Sequence, residues 1–222
     1  MTARGLFVTG TDTGVGKTRV AVARIHALRA QGLRVAVMKP VAAGHAPGEL
    51  NEDVAALLQA ANVAADLRDV NPYAFAEPVA PHIAAQQAGV RIELDVIAAA
   101  YSRLAAAANV VVVEGAGGWR VPLNDREDMA DLAQRLGLPV VLVVGLRLGC
   151  LNHALLTAGS IAHRRLPWAG WVGNCVDPAM ACPAENVAAL HARLPGPCLG
   201  VQAYLEPATY SVAAPQWLTL PE

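Results

Sequence analysis

Lys17 and Lys39 are the only two lysines among 17 basic residues, and neither falls on an ordinary surface helix. An Arg-preferring, Ala-rich composition accounts for their scarcity but not for their placement. Lys17 closes the turn "GTDTGVGKT", residues 10–18, and Lys39 ends the next strand-like run. At both places a compact, strongly hydrated ammonium differs from a planar guanidinium. A strand, a glycine-bearing turn and then Lys-Thr opening a helix direct backbone amides and a helix dipole at phosphate oxygens. Gly14 and Gly16 permit close approach, Lys17 reaches the β- and γ-phosphates, and the Thr18 hydroxyl can coordinate Mg²⁺. The turn departs from the usual phosphate-loop signature by one position, because residue 11 is Thr and the first glycine is Gly10. A plain glycine-rich turn would explain the glycines, but it would not explain Lys-Thr at the helix start.

Magnesium takes oxygen ligands and bridges a few side chains to phosphates. Glu114 follows four valines, where an ionised carboxylate is hard to justify as core packing. Anchoring a helix or pairing with an arginine are its alternatives, and metal is favoured. Asp53 lies near the start of a helical stretch, where helix capping competes, and spacing does not choose between it and Glu52.

These residues need a scaffold that gathers them. Apolar β-branched runs predict strands at 6–9, 34–39, 110–114, 140–144, 168–173 and 198–200. Helical spacing predicts helices at about 17–31, 51–62, 93–107, 128–137, 151–164 and 184–194. Continuous apolar strands separated by helices imply an α/β fold with a mostly parallel sheet covered on both faces, like that of a P-loop NTPase. Ligands of such sheets gather beyond the carboxyl ends of the strands. There the chain carries the glycine turn, Lys39, "EGAGG", "GLRLGCLNH" and "NCVDP". The segment "NPYAFAEPVAPH", residues 71–82, interrupts the alternation and is expected to connect helices or to form part of a lid or interface.

Bulk properties narrow the classes. A chain of 222 residues suits one α/β domain with a substantial core. A net charge of −1 with no basic block leaves no electrostatic footprint for nucleic acid or anionic lipid. A strand-like run begins within the first few residues, with no leader pattern before it, and the longest apolar runs are too short to span a bilayer. The four cysteines show no C-x-x-C spacing. A cytoplasmic protein with reduced thiols, no nucleic-acid or membrane partner, and a small molecule or a second copy of itself as partner is expected.

Taken in order, "FVTGTDTGVGKT", "VMKPVAAG", "NPYAFAEPVAPH", "VVVEGAGGW", "VVGLRLGCLNHALLT" and "AGWVGNCVDP" resemble the dethiobiotin synthetase family over most of the chain. The glycine turn alone would not single out a family; its combination with Lys-Pro-Val, Glu-Gly-Ala-Gly-Gly and Leu-Gly-Cys-x-Asn-His does. The resemblance implies a homodimeric, Mg²⁺-requiring ligase that converts 7,8-diaminononanoate, CO₂ and ATP to dethiobiotin, ADP and phosphate. One amine is carboxylated, the carbamate takes the γ-phosphoryl group, and the second amine closes the ring as phosphate leaves.

Carried onto this sequence, the resemblance makes Lys17 and Lys39 the catalytic pair, bracketing γ-phosphate and carbamate. It assigns Gly14, Val15, Gly16, Lys17, Thr18 and Arg19 to the phosphate loop, and Thr18, Asp53 and Glu114 to the metal. Glu114, Gly115, Ala116 and Gly117 would line the nucleotide, while Asn174 and Cys175 would meet adenine. Thr13, Lys39 and Ala43 would contact the diamine or carbamate. Gly149, Cys150, Leu151 and Asn152 would take the substrate carboxylate of the partner subunit, with His153 structural. Gln202 to Tyr204 would flank the purine, although "GVQAYLEPATY" lacks the usual Gly-x-Ile-Pro character. Relatives commonly carry Glu at position 14 and often Ser at position 43, so this chain lacks one carboxylate and one hydroxyl. Two rival readings are a partition-type ATPase and a cobyrinate-type amidoligase. The first would need a lysine where Asp12 stands, and the second normally carries a glutaminase domain for which this chain is too short.

Overall fold

The computed structural model describes residues 4–46, 48–205 and 218. The first strand, β1 (Arg4–Gly10), leads into α1 (Lys17–Ala30) and then β2 (Val35–Met38). A small excursion follows: β3 (Val41–Ala43), α2 (Glu52–Ala60), α3 (Leu67–Val70), β4 (Tyr73–Phe75) and α4 (Pro81–Gln87). The regular alternation resumes with α5 (Leu94–Ala107), β5 (Val110–Glu114), α6 (Met129–Leu136), β6 (Val140–Leu146), α7 (Cys150–His163), β7 (Trp168–Cys175), α8 (Pro183–Arg193) and β8 (Cys198–Gln202).

Six strands form one sheet in the order β2-β5-β1-β6-β7-β8, and every pairing in it is parallel. Every residue of β5 and β6 is buried, although successive side chains point to opposite faces, so both faces must be covered. The chain reaches β2 and β5 on one side of β1 and β6 to β8 on the other. The carboxyl ends of β5, β1 and β6 therefore border the crevice where such folds bind ligands. Val8 pairs with Glu114 and Gly10 with Val143, which places the glycine turn beside the end of β5.

The six predicted strands are all present, and the six predicted helices end within about two residues of expectation. Residues 41–87 hold the unpredicted elements. β3 and β4 form a separate two-stranded parallel sheet, Val41 opposite Tyr73, and α3 and α4 flank β4. Segment 71–82 is thus partly strand and helix start rather than a plain connection. β2 stops one residue before the predicted end because Pro40 has no amide hydrogen to extend a ladder. Among the described residues no helix is long and apolar enough to cross a membrane.

Candidate functional site

The glycine turn is a tight, preformed loop. Gly14 and Gly16 have φ of 72° and 88°, in the left-handed region that favours glycine. A Cβ on Gly16 would collide with the Asn174 amide. Asn174 holds the loop from the far side, its Nδ2 donating to Val15 O at 2.9 Å from the end of β7. Its Oδ1 is buried with no hydrogen-bond partner among the described residues. Lys17 and Thr18 open α1 and are both buried, and Lys17 Nζ donates back to Asp12 O at 3.0 Å. Asp12 does two further things: Oδ1 accepts from Thr13 N at 2.8 Å, and Oδ2 lies 2.5 Å from Arg147 Nη2. Burial, aided by the nearby Lys39 charge, lowers Lys17 to about 8.

Behind the loop the predicted metal-facing residues converge. Thr18 Oγ1 lies 2.6 Å from Asp53 Oδ1 and 2.9 Å from Glu114 Oε1. Asn51 resolves the choice left open at residues 52 and 53. Its Oδ1 caps α2 by accepting from Asp53 N at 3.1 Å, so the Asp53 carboxylate is free to face Thr18 while Glu52 points to solvent. Glu114, at 0% exposure, ends β5 with Oε2 unpartnered among the described residues.

Lys39 sits just past β2 and bridges both carboxylates, Nζ donating to Asp53 Oδ2 at 2.8 Å and to Glu114 Oε1. Burial alone would lower Lys39, but Glu114 and Asp53 prevail and hold it above its ordinary value. Burial pushes Glu114 up against the opposing pull of Lys39. Burial also acts to raise Asp53, yet Lys39 and then Thr18 hold it below the usual range. Two carboxylates, one of them with the unpartnered Glu114 Oε2, and a hydroxyl form the hard-oxygen set that Mg²⁺ accepts when phosphates and water complete its shell. No cluster of three or more His, Cys, Asp or Glu suited to a metal occurs among the described residues.

A cavity of about 460 Å³ adjoins this centre, walled by Thr13, Lys39, Ala43 and Asp53 and on its apolar side by Val79 and Val121. The site residues expected at 13, 39, 43, 53, 116 and 117 all meet there. Gly149 to Asn152 do not line it. They begin α7 after a left-handed Gly149, with Cys150 buried and Asn152 exposed. Leu148, just before them, is 96% exposed. His153, expected to be structural, is exposed and lines a second cleft of about 430 Å³ with Thr11, Asp12 and Thr13. Arg19 lies on α1, half-buried. Cys175 donates its thiol to Asp177 O at 3.4 Å. Gln202 stands opposite Asn174 in the sheet register, and residues 206–210 of the tail motif lie outside the described residues. Sequence reasoning did not single out Asn51, Asn71 or Arg147. Asn51 alone carries a familiar signal, an Asn before an acidic first turn.

A parallel sheet with a strand, glycine turn and Lys-Thr helix at its central strand defines a P-loop nucleotide-binding protein. Its fold resembles the septum site-determining protein MinD of Pyrococcus horikoshii solved with Mg-ADP, with TM-score 0.55 and 14% identity over 90% of this chain and 80% of that one. The signal recognition particle receptor FtsY of Elizabethkingia anophelis, solved with GDP, gives TM-score 0.51 and 17% identity over 100% of this chain and 61% of that one. At such identities the likeness concerns the fold alone. Residues 4–209 match the family described as an AAA domain.

Sequence similarity goes further. ATP-dependent dethiobiotin synthetase BioD of Nitrosospira multiformis is 55% identical over 201 residues, 90% of this chain and 88% of the relative. The protein of the same name from Pseudomonas aeruginosa strain UCBPP-PA14 is 52% identical over 212 residues, 94% and 93% of the two chains. The chain belongs to the ATP-dependent dethiobiotin synthetase family.

Proposed function

We propose that this chain converts 7,8-diaminononanoate, CO₂ and ATP into dethiobiotin, ADP and phosphate, as a cytoplasmic, single-domain enzyme. The observation that carries this reading is the placement of Lys39. Its ammonium bonds to Asp53 and Glu114, the two carboxylate partners of Thr18, and the residue also walls the cavity that Thr13, Ala43 and Val79 line. A nucleotide-hydrolysing switch has no need of that second cavity.

In the first step an amine nitrogen of the diamine bonds to the carbon of CO₂ and loses a proton, giving an anionic carbamate. Lys39, in the wall of the cavity, favours that anion over its reversal to CO₂. A carbamate oxygen then attacks the γ-phosphorus as the bond to the ADP oxygen breaks. Lys17 and the amides of residues 14–18 bind the phosphates, and the two ammoniums meet the charge that develops on the transferring group. Finally the second amine attacks the carbonyl carbon, its proton is lost, and phosphate leaves as the ureido ring closes. Thr18, Asp53 and Glu114 would hold Mg²⁺, which supplies charge neutralisation at the phosphates. The unpartnered Asn174 Oδ1 supports a place for a base amino group, so Asn174 and Cys175 are assigned to adenine.

The working unit in this reading is a homodimer. Support comes from Leu148 and Leu156, exposed by 96% and 66% beside the Gly149 to Asn152 helix start. A partner covering these leucines would bring its substrate carboxylate to the amides at that helix N-terminus. The test is incubation with diaminononanoate, bicarbonate, ATP and Mg²⁺, with mass spectrometry for dethiobiotin. ATP consumption without that product would instead indicate another carboxylate-activating enzyme.

A further inference from the structure

We propose that Asn71 is the positioning residue for Lys39, and that segment 70–73 serves the reaction by fixing the backbone from which that lysine projects. Lys39 needs such support. β2 is an edge strand that ends at Met38, and Pro40 offers no amide hydrogen, so the main sheet does not hold the peptide units around residue 39. Segment 70–73 takes them up instead. Lys39 N donates to Val70 O at 2.8 Å, Asn71 Nδ2 donates to Lys39 O at 2.6 Å, and Tyr73 N donates to Pro40 O at 3.2 Å. Asn71 Nδ2 also donates to Tyr73 O at 3.1 Å, tying the start of β4 into the same clamp.

Asn71 itself is well fixed. Its backbone N donates to Leu67 O at 2.7 Å at the end of α3, and its side chain is buried, the residue being 8% exposed. Both of its amide hydrogens are therefore committed to carbonyls in a place that water does not reach freely. A residue without those donors leaves Lys39 O short of a partner and removes the second tie to Tyr73 O. Asn71 does not line the cavity of about 460 Å³, so it acts through Lys39 rather than on a substrate. Given the role proposed for Lys39, the consequence falls on rate. A lysine has four rotatable side-chain bonds, and a displacement of about 1 Å at a reacting group is worth up to about a hundredfold.

The experiment compares Asn71→Ala and Asn71→Ser in the full chain, each alone and combined with Lys39→Gln. It measures kcat, KM for ATP and diamine, MgADP affinity by calorimetry, and thermal midpoint. Asn71→Ala is expected to lower kcat about tenfold or more, with MgADP affinity unchanged within about twofold. Asn71→Ser keeps one donor and should recover part of the loss. In the Lys39→Gln background neither change should lower residual turnover further, since the group it positions is gone. Wild-type kcat in Asn71→Ala, an equal loss in the Lys39→Gln background, or a parallel fall in MgADP affinity would each overturn the proposal. If Asn71→Ala does not fold, the same comparisons on Asn71→Ser decide. Full activity of Lys39→Gln alone would instead remove the role given to Lys39, an outcome distinct from failure of the clamp.

Discussion

The phosphate loop and the excursion between β2 and β5 each present one lysine to the same centre, but they hold it by different means. Lys17 stands on the first turn of a 14-residue helix and folds back onto its own loop, donating to Asp12 O. Its surroundings are short in sequence and fixed by backbone: two left-handed glycines, a strand end and a helix start. Lys39 stands between elements, and distant side chains hold it, with Asn71 on its carbonyl and Asp53 and Glu114 on its ammonium. In the proposed reaction, local geometry suits the first lysine to phosphate whatever substrate follows, whereas tertiary packing would tailor the second to the diamine and its carbamate. The two charges also differ in balance, since burial lowers Lys17 while carboxylates raise Lys39.

The largest effects should come from removing either ammonium, and the difference lies in what else is lost. Lys17→Gln and Lys39→Gln should each lower kcat by about 10²–10³-fold, the usual loss for a donor aimed at developing charge. Only Lys17→Gln should also weaken MgADP, because in the proposed reaction Lys39 would face the transferring group and the carbamate rather than the bound product. Equal loss of ADP affinity in both variants, measured by calorimetry, would break the contrast.

Stability should separate the same two residues with opposite sign. Lys17 titrates near 8 when folded against 10.5 for its ordinary value, so the folded protein binds fewer protons than the unfolded chain between those limits. Stability therefore rises with pH through the window from about 8 to 10.5, and below it the buried charge costs on the order of 3 kcal/mol. Lys17→Met should raise the thermal midpoint at pH 7, with the gain shrinking toward pH 10.5. Lys39 has the raised value, so its charge contributes stability that is present below pH 10.5 and lost only above its folded value; Lys39→Met should lower the midpoint at pH 7. A calorimetric scan in which both variants move the same way would refute this account.

Smaller changes probe the two kinds of support. Gly14 has φ of 72° with no atom near a built Cβ, so Gly14→Glu meets a backbone penalty and no steric one. It should cost about 1 kcal/mol in denaturant unfolding. On the other side, Asn51→Ala removes the cap on α2 and the Nδ2 contacts to Ala43 O and Gly44 O, both 3.2 Å. A cost of about 1–2 kcal/mol follows, and Asn51→Asp, which retains the capping acceptor, should recover roughly half. Full loss in the Asp variant would place the value in the Nδ2 contacts instead.

The same contrast explains what the sequence disclosed. Lys17, Thr18 and Glu114 were readable because each sits at a strand end or helix start, where periodicity and motif spacing coincide. Lys39 was readable as a rare residue type in the right place. Asn71 was not, because its value comes from a hydrogen bond across 32 positions to a backbone carbonyl, which no local pattern encodes. β3 and β4 were missed for a related reason: strands of three residues pair with each other and carry too few side chains to show a period. Asp53 fell between, since its role depended on Asn51 taking the cap.

The smallest expected effect tests how finely the excursion is adapted. Ala43 ends β3 on the wall of the cavity that Thr13 also lines, and its carbonyl accepts from Asn51 Nδ2. Its methyl group offers nothing to an amine or carbamate, while the Val79 and Val121 side chains already supply apolar contact. Ala43→Ser adds one hydroxyl to a half-buried position without changing the backbone, because Ala43 is an extended strand residue that any side chain suits. If the hydroxyl meets the diamine or its carbamate, the gain is about 0.5–1.5 kcal/mol. That corresponds to a two- to roughly tenfold lower diamine KM or higher turnover, with KM for ATP unchanged. Steady-state kinetics showing neither gain would mean that Lys39 and Thr13 alone satisfy the reacting groups in this chain, and that the missing hydroxyl carries no weight at position 43.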